Sequence, residues 1–338
     1  MKQNSARLAL PILIVVLAIL FLLNISTGSV SIPIKEVIKA LFTHTGTNAD
    51  ILWQFRLPKA ITCVLAGSAL ATGGLLMQTL FRNPMAGPDV LGLTSGSSLF
   101  VAMLLMAGRY GSFAGNLIQN PWSIAIASSF GGAVVFVIII AIAKYVRDNT
   151  SLLIVGLMIS AATSSIVSVL QFTSQADDLQ TFMIWMLGSV GSTNWSELTI
   201  LGIVISIGIV ISISLIKSLN GMLLGESYAL NLAINIKRAQ ILIVITTGMM
   251  VGVVTAFCGP IAFVGLAVPH LVRLILPTSN HKTLLPAVIL GGAILLLMCD
   301  VIAQLPGRTQ VLPLNAITSL IGAPVVIWMV IKAKRISV

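Results

Sequence analysis

Ten apolar runs, each long enough or nearly long enough to cross a bilayer, divide this chain of 338 residues. They fall at about 8–25, 60–81, 90–108, 122–143, 151–173, 197–216, 239–257, 260–275, 284–303 and 312–331. A hydrocarbon core about 30 Å thick needs ~20 residues of apolar helix. Inside it every backbone donor and acceptor must find a partner, which leaves helices as the economical solution for runs of this length. Only 8% of the residues are charged, against roughly 25% in soluble domains. The expected fold is therefore all-α and polytopic: about ten transmembrane helices forming one domain over residues 1–338, with no soluble domain.

An even number of spans puts both termini on one side. With the N-terminus inside, the inner loops hold thirteen Lys and Arg residues and the outer loops six, as the positive-inside rule requires. The net charge of +10 then reads as topology determinants facing anionic lipid, not as a nucleic-acid surface. Lys2 and Arg7 ahead of the first run look like the start of a signal peptide, but no good small-x-small cleavage site follows, so the first run is taken as an uncleaved span. Cys63, Cys258 and Cys299 lie within apolar runs and read as buried hydrophobes. In the first outer loop Ile34, Val37, Ile38 and Leu41 recur at helical spacing opposite Lys35, Glu36 and Lys39, predicting a short helix lying on the membrane face. Trp53, Trp185 and Trp195 suit the interfacial belt.

One stretch, Ala256 to Arg273, is apolar like a span yet broken by Gly259-Pro260 and by Pro269-His270. A lipid-facing helix gains nothing from these breaks. It is either a kinked structural helix or a segment held inside the bundle where helices must start and stop accurately. In the ten-span frame Gly259-Pro260 falls at an outer turn, and His270 with Arg273 at the inner end of the eighth span.

Catalytic signatures are missing: there is no phosphate-binding G-x-x-x-x-G-K-[ST], no H-E-x-x-H and no nucleophile elbow. His44, His270 and His281 sit in separate segments, and Asp300 is the one carboxylate inside a late span. An ion-coupled transporter would need embedded carboxylates paired with cations, and Asp300 alone is a thin basis. Uphill movement would need energy from elsewhere.

In the fifth span Ser160, Ser164, Ser168 and Gln171 fall within an arc of about 80° on one helix face. Such a face either glues helices together or lines a hydrated path. Gly67, Ala71, Gly73 and Gly74, and likewise Gly248-x-x-x-Gly252, permit close helix approach. The turn Arg82 to Gly92 stops one helix, and Asn83 and Asp89 can cap the next. The inner loop 217–238 carries few charges and many leucines, so it either packs under the bundle or is covered by a partner.

Taken in order along the chain, Arg56-Leu57-Pro58-Lys59, Leu65-Ala66-Gly67, Gly73-Gly74-x-x-Met77-Gln78 and Arg82-Asn83-Pro84-Met85-Ala86-x-Pro88-Asp89 resemble the FecCD/BtuC-type permeases of binding-protein-dependent ABC importers. The resemblance continues through Trp185 to Ser189, Leu224-Gly225-Glu226-x-x-Ala229, Gly259-Pro260, Pro269-His270-x-x-Arg273, His281-Lys282, Asp300 and Ile321-Gly322-Ala323-Pro324. It implies a type II importer fold of ten helices, a homodimer, and a path along the dimer axis lined largely by the fifth helix (Ser160, Ser164, Ser168, Gln171). It implies no permanently bound cofactor and no catalysis in this chain; ATP is used by a cytosolic ATPase coupled through Leu224, Gly225, Glu226 and Ala229, with His270 and Arg273 nearby. It further implies a periplasmic or lipid-anchored binding protein meeting Arg56 and Lys59, with Arg308 a candidate by location. The expected site is a bacterial inner membrane. The cargo implied is a ferric siderophore or haem, with a corrinoid as the alternative. Gln304 and Asn315 depart from the family pattern, which often has Arg and Gly there.

Overall fold

The computed structural model of the chain describes residues 2–28, 32–43, 47–88, 92–107, 121–143, 145–146, 149–225, 231–304 and 311–334. Among them the secondary structure is helical throughout. The helices are α1 (Lys2–Ser26), α2 (Ile34–Thr43), α3 (Thr47–Ile51), α4 (Leu57–Leu80), α5 (Leu93–Ala102), α6 (Pro121–Ala143), α7 (Asn149–Thr173), α8 (Ala176–Met186), α9 (Trp195–Ser214), α10 (Ile216–Leu223), α11 (Ile236–Cys258), α12 (Val264–Ile275), α13 (His281–Ala303) and α14 (Leu314–Lys334). A π-helical turn, Leu52–Arg56, leads α3 into α4, and another, Met103–Ala107, extends α5.

All ten expected crossings have a helix. Seven are long and apolar enough to span on their own, and three are shorter: Leu93–Met106, Val264–Ile275 and Leu314–Trp328. At 1.5 Å per residue, the 12 residues of α12 cover only about 18 Å. The eighth span expected at 260–275 is therefore helical only in its inner part. Residues 259–263 are non-helical, with Gly259 at φ +70° and Phe263, unusually for a side-chain-bearing residue, left-handed at φ +67°.

The bundle is built around α4, whose span is 83% buried; α9, α10, α11, α12 and α13 all pack on it. Missing side chains make this possible. A Cβ on Gly67 would sit 2.2 Å from the Gly292 carbonyl oxygen of α13, and one on Gly74 would sit 1.7 Å from the Gly265 oxygen of α12. The expected close approach along Gly67–Gly74 is thus met by two specific partners. The pair in α11 divides: Gly248 accepts the Phe136 ring of α6, while Gly252 faces open space.

Local details correct two expectations. Asn83 accepts from the Met85 amide, turning the connection itself; α5 instead starts at Gly92, left-handed at φ 73°, and Asp89 lies outside the described residues. Trp185 is not an interfacial anchor, because its indole nitrogen is buried without a partner beside Phe182. Trp53 and Trp195 do pair at the outer side, with Trp195 donating to the Trp53 carbonyl at 2.9 Å. The outer helix α2 forms as expected. It buries Val37 and Ala40 and leaves Ile34, Ile38 and Phe42 exposed.

Candidate translocation cavity and coupling surface

Helix α7 packs on α5 and α6 at the margin of the bundle and is only 22% buried. Its polar face divides along its length. Ser160 faces inward: its hydroxyl bonds the Gly156 carbonyl and lies 2.9 Å from where a Cβ on Gly92 would be, so it serves helix packing. Ser164, Ser168 and Gln171, in the outer part, line a cavity of ≈ 470 Å³. Thr94, Ser95 and Ser98 of α5 line it from a second side, and Pro260, Ile261, Ala262 and Asn315 close a third.

The third wall is the broken stretch singled out in the sequence. Non-helical backbone at membrane depth needs partners, and part of this segment and its flanks have them. The Cys258 carbonyl accepts from the Ser189 amide at 2.8 Å, the Ala262 amide donates to Asn315 Oδ1 at 3.1 Å, and the Val264 amide donates to the Ala262 carbonyl at 2.9 Å. The Asn315 amide meanwhile donates to the Leu187 carbonyl at 3.1 Å. Asn315 therefore ties together the turn after α8, the non-helical segment and the start of α14. Its sequence signal was visible only as a departure from the family pattern. The glycines and prolines do set where α12 begins, as expected, but Pro260 also faces the cavity.

A second cavity, ≈ 690 Å³, opens at the outer ends of α1, α4 and α13 and includes Arg56, Lys59, Asp300 and Gln304 in its lining. The Lys59 ammonium lies 3.1 Å from Asp300 Oδ2. The same oxygen accepts from Asn24 Nδ2 at 2.7 Å and from Gln304 Nε2. Arg56 is 6% exposed and donates to the Ile25 and Ser26 carbonyls, both at 2.9 Å, closing the C-terminus of α1. These two cations were expected to face an outer partner; here their charges are engaged within the bundle, tying α1 and α13 to α4. Arg308 lies outside the described residues.

At the inner end, side chains from three helices, α10, α12 and α13, converge near the last turn of α4. His270 Nε2 donates to the Pro84 carbonyl at 2.8 Å, and Arg273 donates to Gln78 Oε1 at 2.8 Å while Gln78 Nε2 reaches the Leu266 carbonyl at 3.3 Å. His281 Nδ1 and backbone amide both meet Asn220 Oδ1 at 2.9 Å, and its Nε2 meets Thr79 Oγ1 at 2.9 Å. An amide oxygen only accepts, so Nδ1 carries a proton. The sequence pointed to His270 and Arg273 here. It missed Thr79, Asn220 and His281, whose convergence depends on three helix ends meeting. Helix α10 answers the question of the leucine-rich loop in both ways: Leu219 and Met222 are buried beneath the bundle, whereas Leu223 and Leu224 are 42% and 63% exposed. Gly225, at φ +111°, follows them; Glu226 and Ala229 lie outside the described residues.

A bundle of ten apolar helices with a polar cavity between them and a hydrogen-bonded inner surface is the architecture of a polytopic helical membrane protein. The profile of the FecCD transport family matches residues 16–332, and the chain belongs to that family. It is 31% identical over 334 residues to the hemin transport system permease protein HmuU of Yersinia pestis, covering 97% of each chain. It is also 31% identical over 334 residues to the vitamin B12 import system permease protein BtuC of Klebsiella pneumoniae subsp. pneumoniae, covering 99% of this chain and 96% of that one. A solved structure of an inward-facing transporter described as metal-chelate type ABC superposes with a TM-score of 0.82 at 26% identity, over 97% of this chain and 99% of that one. The fold is the type II importer permease fold, and the chain is an integral membrane, non-catalytic permease subunit of an ABC importer. The family works with an ATPase and a substrate-binding protein.

Proposed function

We propose that this chain is the membrane-spanning subunit of a bacterial inner-membrane importer that moves a bulky iron chelate, a ferric siderophore or haem, with cobalamin as the alternative cargo. The observation that carries this is the full-length family match to permeases named for hemin and vitamin B12, joined to a cavity whose lining offers hydroxyls and amides. ATP is hydrolysed by a separate cytosolic subunit. The exposed Leu223 and Leu224, and the hydrogen-bonded His270 and Arg273 at the inner end, support its docking under α10 and α12. Two copies of the chain form the path. The exposed side of α7, with Ser164 and Ser168 on it, supports a second copy facing it. Both termini are cytoplasmic, as the loop charges favour. The binding protein meets the outer face, although Arg56 and Lys59 are not offered as its contacts because their charges are already engaged. The ion-coupled alternative would rest on the single pair Asp300–Lys59, which lines the outer cavity, and the family match favours the importer.

The test is uptake into proteoliposomes holding the chain with its ATPase and binding protein. Chelate accumulation that requires ATP supports the assignment. Accumulation driven by a proton or sodium gradient with no ATPase present removes it.

A further inference from the structure

We propose that α2 is a phospholipid-binding element on the outer rim of the bundle, with Ile34, Ile38 and Phe42 seated among acyl chains and Lys35 on a headgroup phosphate. Three sectors follow one another around this helix at about 100° per residue. Val37 and Ala40 are buried on the side that packs on α1, α3 and the π-turn, with Leu41 half-buried beside them. Ile34, Ile38 and Phe42 come next, within an arc of about 80°, and are 49%, 47% and 82% exposed. Lys35 and Lys39 border that row, and Glu36 lies on the far side of the helix from it; all three are exposed. Away from the bundle the order is therefore apolar, cationic, acidic, which is the order of acyl chain, phosphate and water. A helix in the interface plane buries its apolar side among the chains, and lysines at its edge reach up to the phosphates on their own stems. Docking of a soluble partner requires no such order.

Depth decides between lipid and a partner in water. Helix α3, the π-turn and α4 run on without a break from Thr47 to Leu80, whose end is the inner turn. From Leu80 back to Trp53 is about 40 Å along a helix, and a bilayer with its headgroups is about 40–45 Å thick. Trp53 thus falls among the outer headgroups, the level at which tryptophan is favoured. It holds α2 at that level: its Nε1 donates to the Ala40 carbonyl at 3.3 Å, and its ring stacks on Trp195 with centroids 6.4 Å apart. The exposed row therefore continues the apolar girdle of the bundle. A second copy of the chain is placed at another margin, since α7 packs on α5 and α6 whereas α2 packs on α1, α3 and the π-turn. The π-turn that α2 touches carries Arg56, and Lys59 follows one turn later in the outer cavity, so a lipid seated on α2 braces the rim of that cavity.

The experiment uses the permease–ATPase complex in phosphatidylcholine nanodiscs. Cys63, Cys258 and Cys299 are buried, so a fluorescent dye can be attached selectively through Ile38→Cys and, as the reference, through Glu36→Cys, each variant checked as folded by gel filtration. Phospholipid brominated on its acyl chains should quench the dye at position 38, and iodide in the buffer the dye at position 36. Adding Lys35→Glu to Ile38→Cys should raise the dose of brominated phosphatidylglycerol needed for half quenching by roughly fivefold or more, and Lys35→Arg should leave it unchanged. Equal quenching of the two dyes by iodide overturns the proposal. So does shielding at position 38 that arises only when the binding protein is added, which would make α2 a protein-docking surface, or a dose that Lys35→Glu does not change. The cargo plays no part in this assay, so it and the uptake assay fail separately.

Discussion

The outer ion pair gives a prediction that can be worked through from its geometry. Lys59 and Asp300 are 15% and 5% exposed at their side chains and 3.1 Å apart. At an effective dielectric near 20 their attraction is about 5 kcal/mol, most of it offset by desolvation of both groups. Lys59→Met keeps the aliphatic stem and removes the charge. Asp300 then remains buried with only the neutral donors of Asn24 and Gln304. Stranding one partner of a buried pair costs about 3–5 kcal/mol. Because Lys59 lines the outer cavity and is partly wet, the lower end, about 3 kcal/mol, is expected. Replacing both, Lys59→Met with Asp300→Asn, removes the stranded charge, keeps an acceptor for Asn24 and Gln304, and should return stability to within about 1 kcal/mol of the parent. Cys63, Cys258 and Cys299 are all buried, so a thiol-reactive fluorogenic dye reports unfolding in detergent directly. The single variant should unfold roughly 5 °C or more below the parent, and the double variant close to it. If Lys59→Met is as stable as the parent, the pair is not structural. Lys59 would then be free for the outer docking role that the family resemblance implied.

Other outcomes follow from single contacts. Gly74→Ala places a methyl against the Gly265 carbonyl, a backbone atom that cannot step aside; it should abolish recovery of monodisperse protein, while Gly252→Ala, with nothing within 4 Å, should behave as the parent. Leu224→Asp should weaken ATPase retention in pull-down by roughly tenfold, since it puts a charge on an exposed leucine at the inner end of α10; undiminished capture would place the docking surface elsewhere. Asn315→Ala orphans the Ala262 amide, at a cost of about 1–3 kcal/mol, and hydrogen exchange across 259–263 should rise while α4 stays protected.

The fold was legible because apolar length is a one-dimensional property. A run of twenty apolar residues announces a crossing whatever surrounds it, and the charges between runs announce the sides. The glycine approaches along α4 were legible as approaches, but their partners Gly292 and Gly265 were not, since small residues mark a contact without naming what fills it. Ser164 and Ser168 could be read as path or as glue from periodicity alone, and the structure divides the same face between both uses, with Ser160 against Gly92. Arg56 and Lys59 have contacts within the bundle that the sequence did not announce. A cation in an outer loop looks available until the helix end it closes and the carboxylate it meets, more than two hundred residues away in Asp300, are folded against it. Polar networks that join distant helices leave no local pattern, and His281 with Asn220 and Thr79 is a second instance.

The broken stretch carries the most mechanical content. Its non-helical part, held by Ser189 and Asn315, is a wall of the cavity, and its helical part ends in His270 and Arg273 on the inner turn of α4. An unbroken span would pack along its whole length on its neighbours and could move only with them. A short helix of about 18 Å, seated on α4 through the glycine contact at Gly265 and preceded by the non-helical segment that starts at Gly259, connects the inner surface to the cavity. Interfaces this tightly packed shift between discrete arrangements more readily than they deform. A partner that displaces Pro84 or Gln78 by one such step moves Pro260 to Ala262 at the other end. Lengthening the helix should therefore uncouple them: inserting one Ala after Val268 turns His270 and Arg273 by ~100° about the helix axis and removes both inner contacts. The insertion should abolish ATP-driven uptake while chelate retention persists; loss of both together, in a variant that still folds, would show that the inner contacts shape the cavity and do not merely move it.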